Sequence, residues 1–103
     1  MEGEPSVAFY NPGQTVHGGW SSTLIDSACA CAASSTLPAG HTASTIELKV
    51  TFHRLITVRT GWVRAESRVV NLGRQVVACE AVLKDSAGRL LASGSSTLLI
   101  LKV

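Results

Sequence analysis

Charges, aromatic rings and cysteines are scarce in this chain, and long apolar runs are missing. Each shortage closes off a class of function. Only 16% of the 103 residues are charged and 5% are aromatic. Lys and Arg stand as singles, and the net charge is only +2. A nucleic-acid or membrane-surface binder needs clustered cations, so neither nucleic acid nor membrane is expected as a partner. No apolar run approaches the roughly 18 to 20 residues of a membrane span. The opening Met1-Glu2-Gly3-Glu4-Pro5 lacks the basic and apolar regions of a signal peptide, so a cytoplasmic location is expected. The cysteines are Cys29, Cys31 and Cys79, an odd number with no CxxC and no framework spacing. On a helix, Cys29 and Cys31 would point roughly 200° apart and could not grip one metal. All three read as small packing residues. His41 and His53 have no second ligand at metal spacing and read as surface residues, so no metal site is expected.

What is present is an apolar, ordered chain. Hydrophobic residues make up 46% of it, with a mean hydropathy of +0.28, which excludes disorder. The length gives a single domain, 1–103, with a core modest enough to gain from subunit association. From Gly18 to about Ser35 the apolar residues Leu24, Ile25, Ala28, Cys29 and Ala32 follow one helical face. The rest of that helix is mostly Ala and Ser, which lets other elements approach it closely. Ser and Thr lower its propensity, so tertiary packing must hold it. After Gly40 the period changes to two. Ile46, Leu48, Val50 and Phe52 alternate with polar residues in a half-buried strand over 45–53. Further strands are expected over 61–70, 75–83 and 90–101. Asn71-Leu72-Gly73-Arg74 is a turn or bulge, and Asp85-Ser86-Ala87-Gly88 a hairpin turn. Gly94 marks a bulge or a close approach. Val7 to Tyr10 is a candidate first edge strand. One long helix against sequential hairpins is an α+β architecture, and its open edges favour edge-to-edge dimerisation.

The chemistry concentrates in Asn11-Pro12-Gly13-Gln14-Thr15-Val16-His17-Gly18-Gly19 and Asp26. The first N–H groups of a helix lack intrahelical partners and sit at its positive end, so Gly18 and Gly19 are candidates for holding a polarised carbonyl or an oxyanion. Asp26 is the only acid between Glu4 and Glu47, inside an otherwise uncharged helix. It is a candidate base or nucleophile, against the plain reading of a solvated side chain. Eight residues of helix separate Gly18 from Asp26 by roughly 12 Å. The two meet one small group only if antiparallel helices of two chains bring Gly18 of one to Asp26 of the other. His17 has no Ser-His-Asp set to join and reads as a hydrogen-bonding support for the turn.

The set Asn11, His17-Gly18-Gly19 and Asp26, the small-residue helix, Thr45-Ile46-Glu47-Leu48-Lys49-Val50 and Gly88-Arg89-Leu90-Leu91-Ala92-Ser93-Gly94 together resemble the hotdog-fold acyl-CoA thioesterases. The nearest branch is the phenylacetate-degradation type, which includes 4-hydroxybenzoyl-CoA thioesterases. The resemblance runs from Asn11 to the C-terminus. It implies a hotdog fold, one long central helix wrapped by an antiparallel sheet of about five strands, and an acyl- or aryl-CoA substrate with no separate cofactor. It further implies a homodimer, commonly a dimer of dimers. Gly18 would polarise the thioester carbonyl, and the partner's Asp26 would activate water or attack directly. Asn11 and Thr45 would help place the water or the thioester, and His17 would support the turn. Gly19, Gly73, Arg74 and, behind them, Arg54 are candidates for binding substrate and CoA. Only ten residues precede Asn11, so the first strand is expected to be short or absent. Trp20 stands where a smaller residue is usual, either narrowing the acyl pocket or packing at a dimer seam. Ala30 lacks the hydroxyl of some aryl-specific members. The alternative is a non-catalytic acyl-CoA binding module on the same fold.

Overall fold

The computed structural model describes residues 1–103. One long helix, α1 (Gly18–Ser34), lies across a five-stranded antiparallel sheet. The strands are β1 (Glu2–Gly3), β2 (His41–Phe52), β3 (Val63–Leu72), β4 (Val76–Asp85) and β5 (Leu90–Lys102). Their order across the sheet is β1-β3-β4-β5-β2. The hairpins β3–β4 and β4–β5 pair neighbours in sequence, while β2 returns to the outside of β5. Long β2 and the outer part of β3 are therefore the open edges.

Alternation dictates the sheet's inner face. Val63 and Ala65 on β3, and Val77, Cys79, Ala81 and Leu83 on β4, are buried as the period-two pattern requires. From the helix, Leu24, Ile25, Ala28, Cys29 and Ala33 complete the core. The buried stripe ends on Ala33, not on the expected Ala32, because a 3.6-residue period continues from Cys29 to the residue four further on. Small side chains bring the layers close. The Ser67 hydroxyl donates to the Ala28 carbonyl across 2.7 Å, tying β3 to the helix backbone. Gly94 is a close approach and not a bulge, since its pairing with Val50 and Ala81 is regular. A Cβ there would lie 2.6 Å from the Lys49 carbonyl oxygen and 3.1 Å from Ile25 Cγ2.

Three expectations need correction. Val7–Phe9 is a 3-10 turn, not a strand. Ser6 caps it by accepting from the Ala8 N–H, and the Phe9 and Tyr10 N–H groups turn back to Ser6 and Val7. The first strand is instead Glu2–Gly3, paired with Arg64 and Val63. The second correction concerns β2, which is less buried than its pattern suggests. Ile46 is 59% exposed and Phe52 54%, because β2 is an edge strand. Its register also shifts between Thr45 and Glu47. Ala43 and Thr45 reach the core or the helix before the shift, and Val50 and Phe52 after it, so the inward parity changes from odd to even. The third concerns 71–74, where a bulge between Val69 and Asn71 precedes the turn and β3 runs on to Leu72.

The Asp85–Gly88 hairpin forms as read. Asp85 Oδ1 accepts from the Ala87 and Arg89 N–H groups and Oδ2 from Arg89 Nε. The Arg89 backbone N–H, more than its guanidinium, holds the Asp85 carboxyl below the usual carboxylate range against the opposing effect of burial.

Candidate active site

The segment before α1 builds the helix start. The Asn11 side-chain oxygen accepts from the Gly13 N–H at 2.9 Å and from the Thr15 N–H and hydroxyl at 3.4 Å each. Within that loop Gln14 takes a left-handed φ of 69°. The Asn11 oxygen thus organises the loop, and its amide nitrogen is the atom left to meet another group. His17 then caps α1, with Nδ1 accepting from the Gly19 N–H at 2.8 Å. That acceptor role places the neutral ring's proton on Nε2.

The two glycines answer to different neighbours. A Cβ on Gly19 would lie 2.9 Å from His17 Nδ1, so glycine permits the tight cap. A Cβ on Gly18 would lie 2.9 Å from Phe52 Cζ. The Gly19 N–H is taken by His17 Nδ1 and the Trp20 N–H by the His17 carbonyl. The Gly18 N–H has no acceptor in the chain. It is a bare donor at the positive end of a 17-residue helix.

Asp26 lies half-buried near the middle of α1. Its Oδ1 accepts from the Thr45 hydroxyl at 2.7 Å, and its Oδ2 has no partner in the chain. The bulge after Thr45 is what lets this residue meet the helix while Val50 further along also faces inward. The negative charge reaches the core: burial first, then the Cys79 thiol, then Asp26 push the Cys29 thiol up to about 11. Cys29 and Cys79 are buried and Cys31 is exposed, so two of the three are packing residues.

One chain brings Asp26 and Thr45 together, and Asn11, His17, Gly18 and Gly19 together, but not the two groups to each other. The CoA candidates also separate. The Arg54 N–H bonds the Leu91 carbonyl at the start of β5, while the turn holding Gly73 and Arg74 adjoins Ile100 near its end. Nine residues of extended strand put these points about 30 Å apart, so within one chain Arg54 does not stand behind Gly73 and Arg74. Trp20 stacks on Phe9, with centroids 6.1 Å apart and planes at 21°, and so packs against the N-terminal segment. His53 is on the exposed face, with Nε2 2.8 Å from the Ser93 hydroxyl. His41 Nδ1 lies 3.3 Å from the Ala39 carbonyl. No group of three or more His, Cys, Asp or Glu residues is placed to hold a metal. No helix is long and apolar enough to cross a membrane.

A surface cavity of about 600 Å³ lies on the sheet face opposite α1, where Lys49, Thr51, Arg68, Glu80, Ser93 and Ser95 line it. It touches neither Gly18 nor Asp26. The chemistry argues for the helix side, which carries an unpaired donor and a free carboxylate oxygen on half-buried residues. The alternation of β2 reads Phe52 as one of its apolar face but gives it no part in the site, because its approach to Gly18 depends on how β2 meets the start of α1 and has no sequence signal of its own.

A central helix with a bare N-terminal donor, a helix-borne carboxylate and a wrapping antiparallel sheet define a hotdog-fold protein of the thioester-handling class. The chain belongs to the thioesterase superfamily, whose family model matches residues 13–92. Thioester hydrolysis is the general chemistry of that family. Among solved structures, a Bacillus halodurans protein crystallised with CoA is 27% identical. It superposes with a TM-score of 0.90 over 97% of this chain and 69% of its own. A candidate thioesterase from Ralstonia eutropha, related to phenylacetic acid degradation, is 28% identical, with a TM-score of 0.87 over 95% of this chain and 72% of its own. The S. sahachiroi protein AziG, 24% identical, shares the fold at a TM-score of 0.93 over 99% of this chain and 82% of its own. No curated protein matches the chain.

Proposed function

We infer that the protein hydrolyses an acyl- or aryl-CoA thioester to the free acid and CoA. The observation that carries this reading is Asp26: a half-buried carboxylate with one oxygen held by Thr45 and the other free. The thioester carbonyl accepts from the Gly18 N–H of one subunit. The Asp26 of its partner acts on the carbonyl carbon, through an activated water or directly. As the tetrahedral intermediate forms, charge grows on the carbonyl oxygen, where a fixed donor at a helix N-terminus is most effective. Collapse of that intermediate expels the CoA thiolate, leaving the free acid after attack by water, or after direct attack an acyl–Asp26 anhydride that water hydrolyses to the acid. His17 acts by capping the helix and Thr45 by fixing Asp26. Asn11 lends its free amide to the water or thioester.

A two-fold dimer through the open β2 edge fits this division. Such an edge carries unpaired backbone groups and exposed apolar side chains, which a second strand satisfies. The B. halodurans relative crystallised with CoA supports a CoA ester as substrate. Gly19, Gly73, Arg74 and Arg54 remain the CoA candidates, and the two ends of β5 are bridged only if different subunits supply them.

The test is a panel of straight-chain, branched and aryl-CoA esters, with released thiol as the readout. Hydrolysis of at least one ester is expected, with kcat lowered by orders of magnitude in Asp26→Ala while the oligomer persists. Undiminished hydrolysis in that variant refutes the assignment of Asp26. Binding of CoA esters without turnover would favour the non-catalytic module.

A further inference from the structure

We propose that Phe52 is the specificity-determining wall of this site, screening acyl groups by substitution at the carbon next to the thioester carbonyl. The inference rests on the thioester reading above and adds to it a rule of substrate choice. Phe52 ends β2, and within one chain it is 54% exposed. Its ring tip nonetheless reaches the start of α1. The position of a Gly18 Cβ lies 2.9 Å from Cζ and 3.3 and 3.5 Å from the two Cε atoms.

The direction matters as much as the distance. In a helix the Cα–Cβ bond tilts toward the N-terminus, the side on which the free Gly18 N–H emerges. A carbonyl oxygen accepting from that N–H sits about 2.9 Å from the nitrogen. The carbonyl carbon is about 1.2 Å beyond it, with the acyl α-carbon one bond further. The ring tip is thus a neighbour of that α-carbon. The register shift between Thr45 and Glu47 is what aims Phe52, and not Thr51 or His53, at the helix. Trp20, the other large ring at the helix start, is held against Phe9. A straight chain leaves past the ring edge, whereas a methyl on the α-carbon meets it.

The test uses butyryl-CoA and isobutyryl-CoA, which differ only in where one methyl sits. Wild type is expected to favour butyryl-CoA in kcat/KM. Phe52→Ala should narrow that preference about ten-fold, the usual worth of one methyl in a shaped pocket. Phe52→Leu, which keeps most of the apolar area, should fall between and guards against a folding defect in the alanine variant. No preference in wild type, or an unchanged ratio in both folded variants, overturns the proposal. Should wild type cleave neither ester, hydrolysis stands or falls with the full panel of straight-chain, branched and aryl-CoA esters. The Kd ratio for the two ketone analogues, in which CH2 replaces sulfur, then decides the wall: narrowing in Phe52→Ala supports it and an unchanged ratio overturns it.

Discussion

Replacing Gly18 with proline removes one hydrogen-bond donor and little else. Gly18 is the first residue of α1, where an N–H has no intrahelical acceptor, and proline is favoured at that position. Gly18 is not among the positive-φ glycines, so the ring's fixed φ suits it. The residue before a proline must be extended, and His17 already is, at φ −59° and ψ 136°. The fold should therefore persist. The cost is the contact at 2.9 Å between a new Cβ and the tip of Phe52, the far end of a side chain and not backbone. Gly18→Ala carries the same Cβ but keeps the N–H, and so isolates that cost. If the Gly18 N–H holds the developing oxyanion, kcat for the proline variant should fall about 10²- to 10³-fold below the alanine variant, or roughly 3 to 4 kcal/mol. Thiol release from the best acyl-CoA of the panel measures this, with thermal melts to establish folding. Equal kcat in folded Gly18→Pro and Gly18→Ala would refute the role of the donor.

Other consequences test the site and its support. Thr45→Val deletes the hydroxyl that holds Asp26 Oδ1 and should lower kcat about ten-fold with little change in KM, as expected of a positioning hydrogen bond to a charged group. Burial raises the Cys29 and Cys79 thiols, so the folded state disfavours their ionised forms. The stability this confers is complete below the unfolded thiol value near 9 and is lost as pH rises toward about 11. The melting temperature should decline in that window, and less so in Cys29→Ala; a pH-independent melt up to 11 would contradict it. Gly94→Ala places a Cβ 2.6 Å from a backbone oxygen that cannot swing away. It should destabilise the fold by about 1 to 3 kcal/mol in urea titration.

Much of this architecture is legible because alternation and helical period are local. Val77, Cys79, Ala81 and Leu83 read as one inward face, and all four are buried. The start of α1 at Gly18 follows from the change of pattern after His17-Gly18-Gly19. What escapes a sequence reading depends on pairing between distant strands. The β2 bulge sets both Thr45 against Asp26 and Phe52 against Gly18, yet nothing in Ile46-Glu47-Leu48 announces a register shift. The exposure of Ile46 follows from β2's place at the sheet edge, a topological fact that its alternation cannot encode. Arg54 and Arg74 look like one cationic set along the chain, but the return of β2 outside β5 sends them to opposite ends of the sheet. His17 is legible as a support, and its capping of the helix follows from its place beside two glycines.

The central claim is that one active site takes Gly18 from one chain and Asp26 from another. Mixing two inactive variants tests it most directly. Gly18→Pro and Asp26→Asn chains are unfolded together at equal concentrations, refolded and assayed for acyl-CoA hydrolysis. In a mixed dimer with shared sites, one site joins an intact Gly18 to an intact Asp26 and the other joins the two defects. Random pairing makes half the dimers mixed, with one working site in each, so the mixture should recover about a quarter of wild-type activity. Activity no higher than that of the separate variants, in a mixture shown to contain mixed dimers, would contradict a site shared between chains.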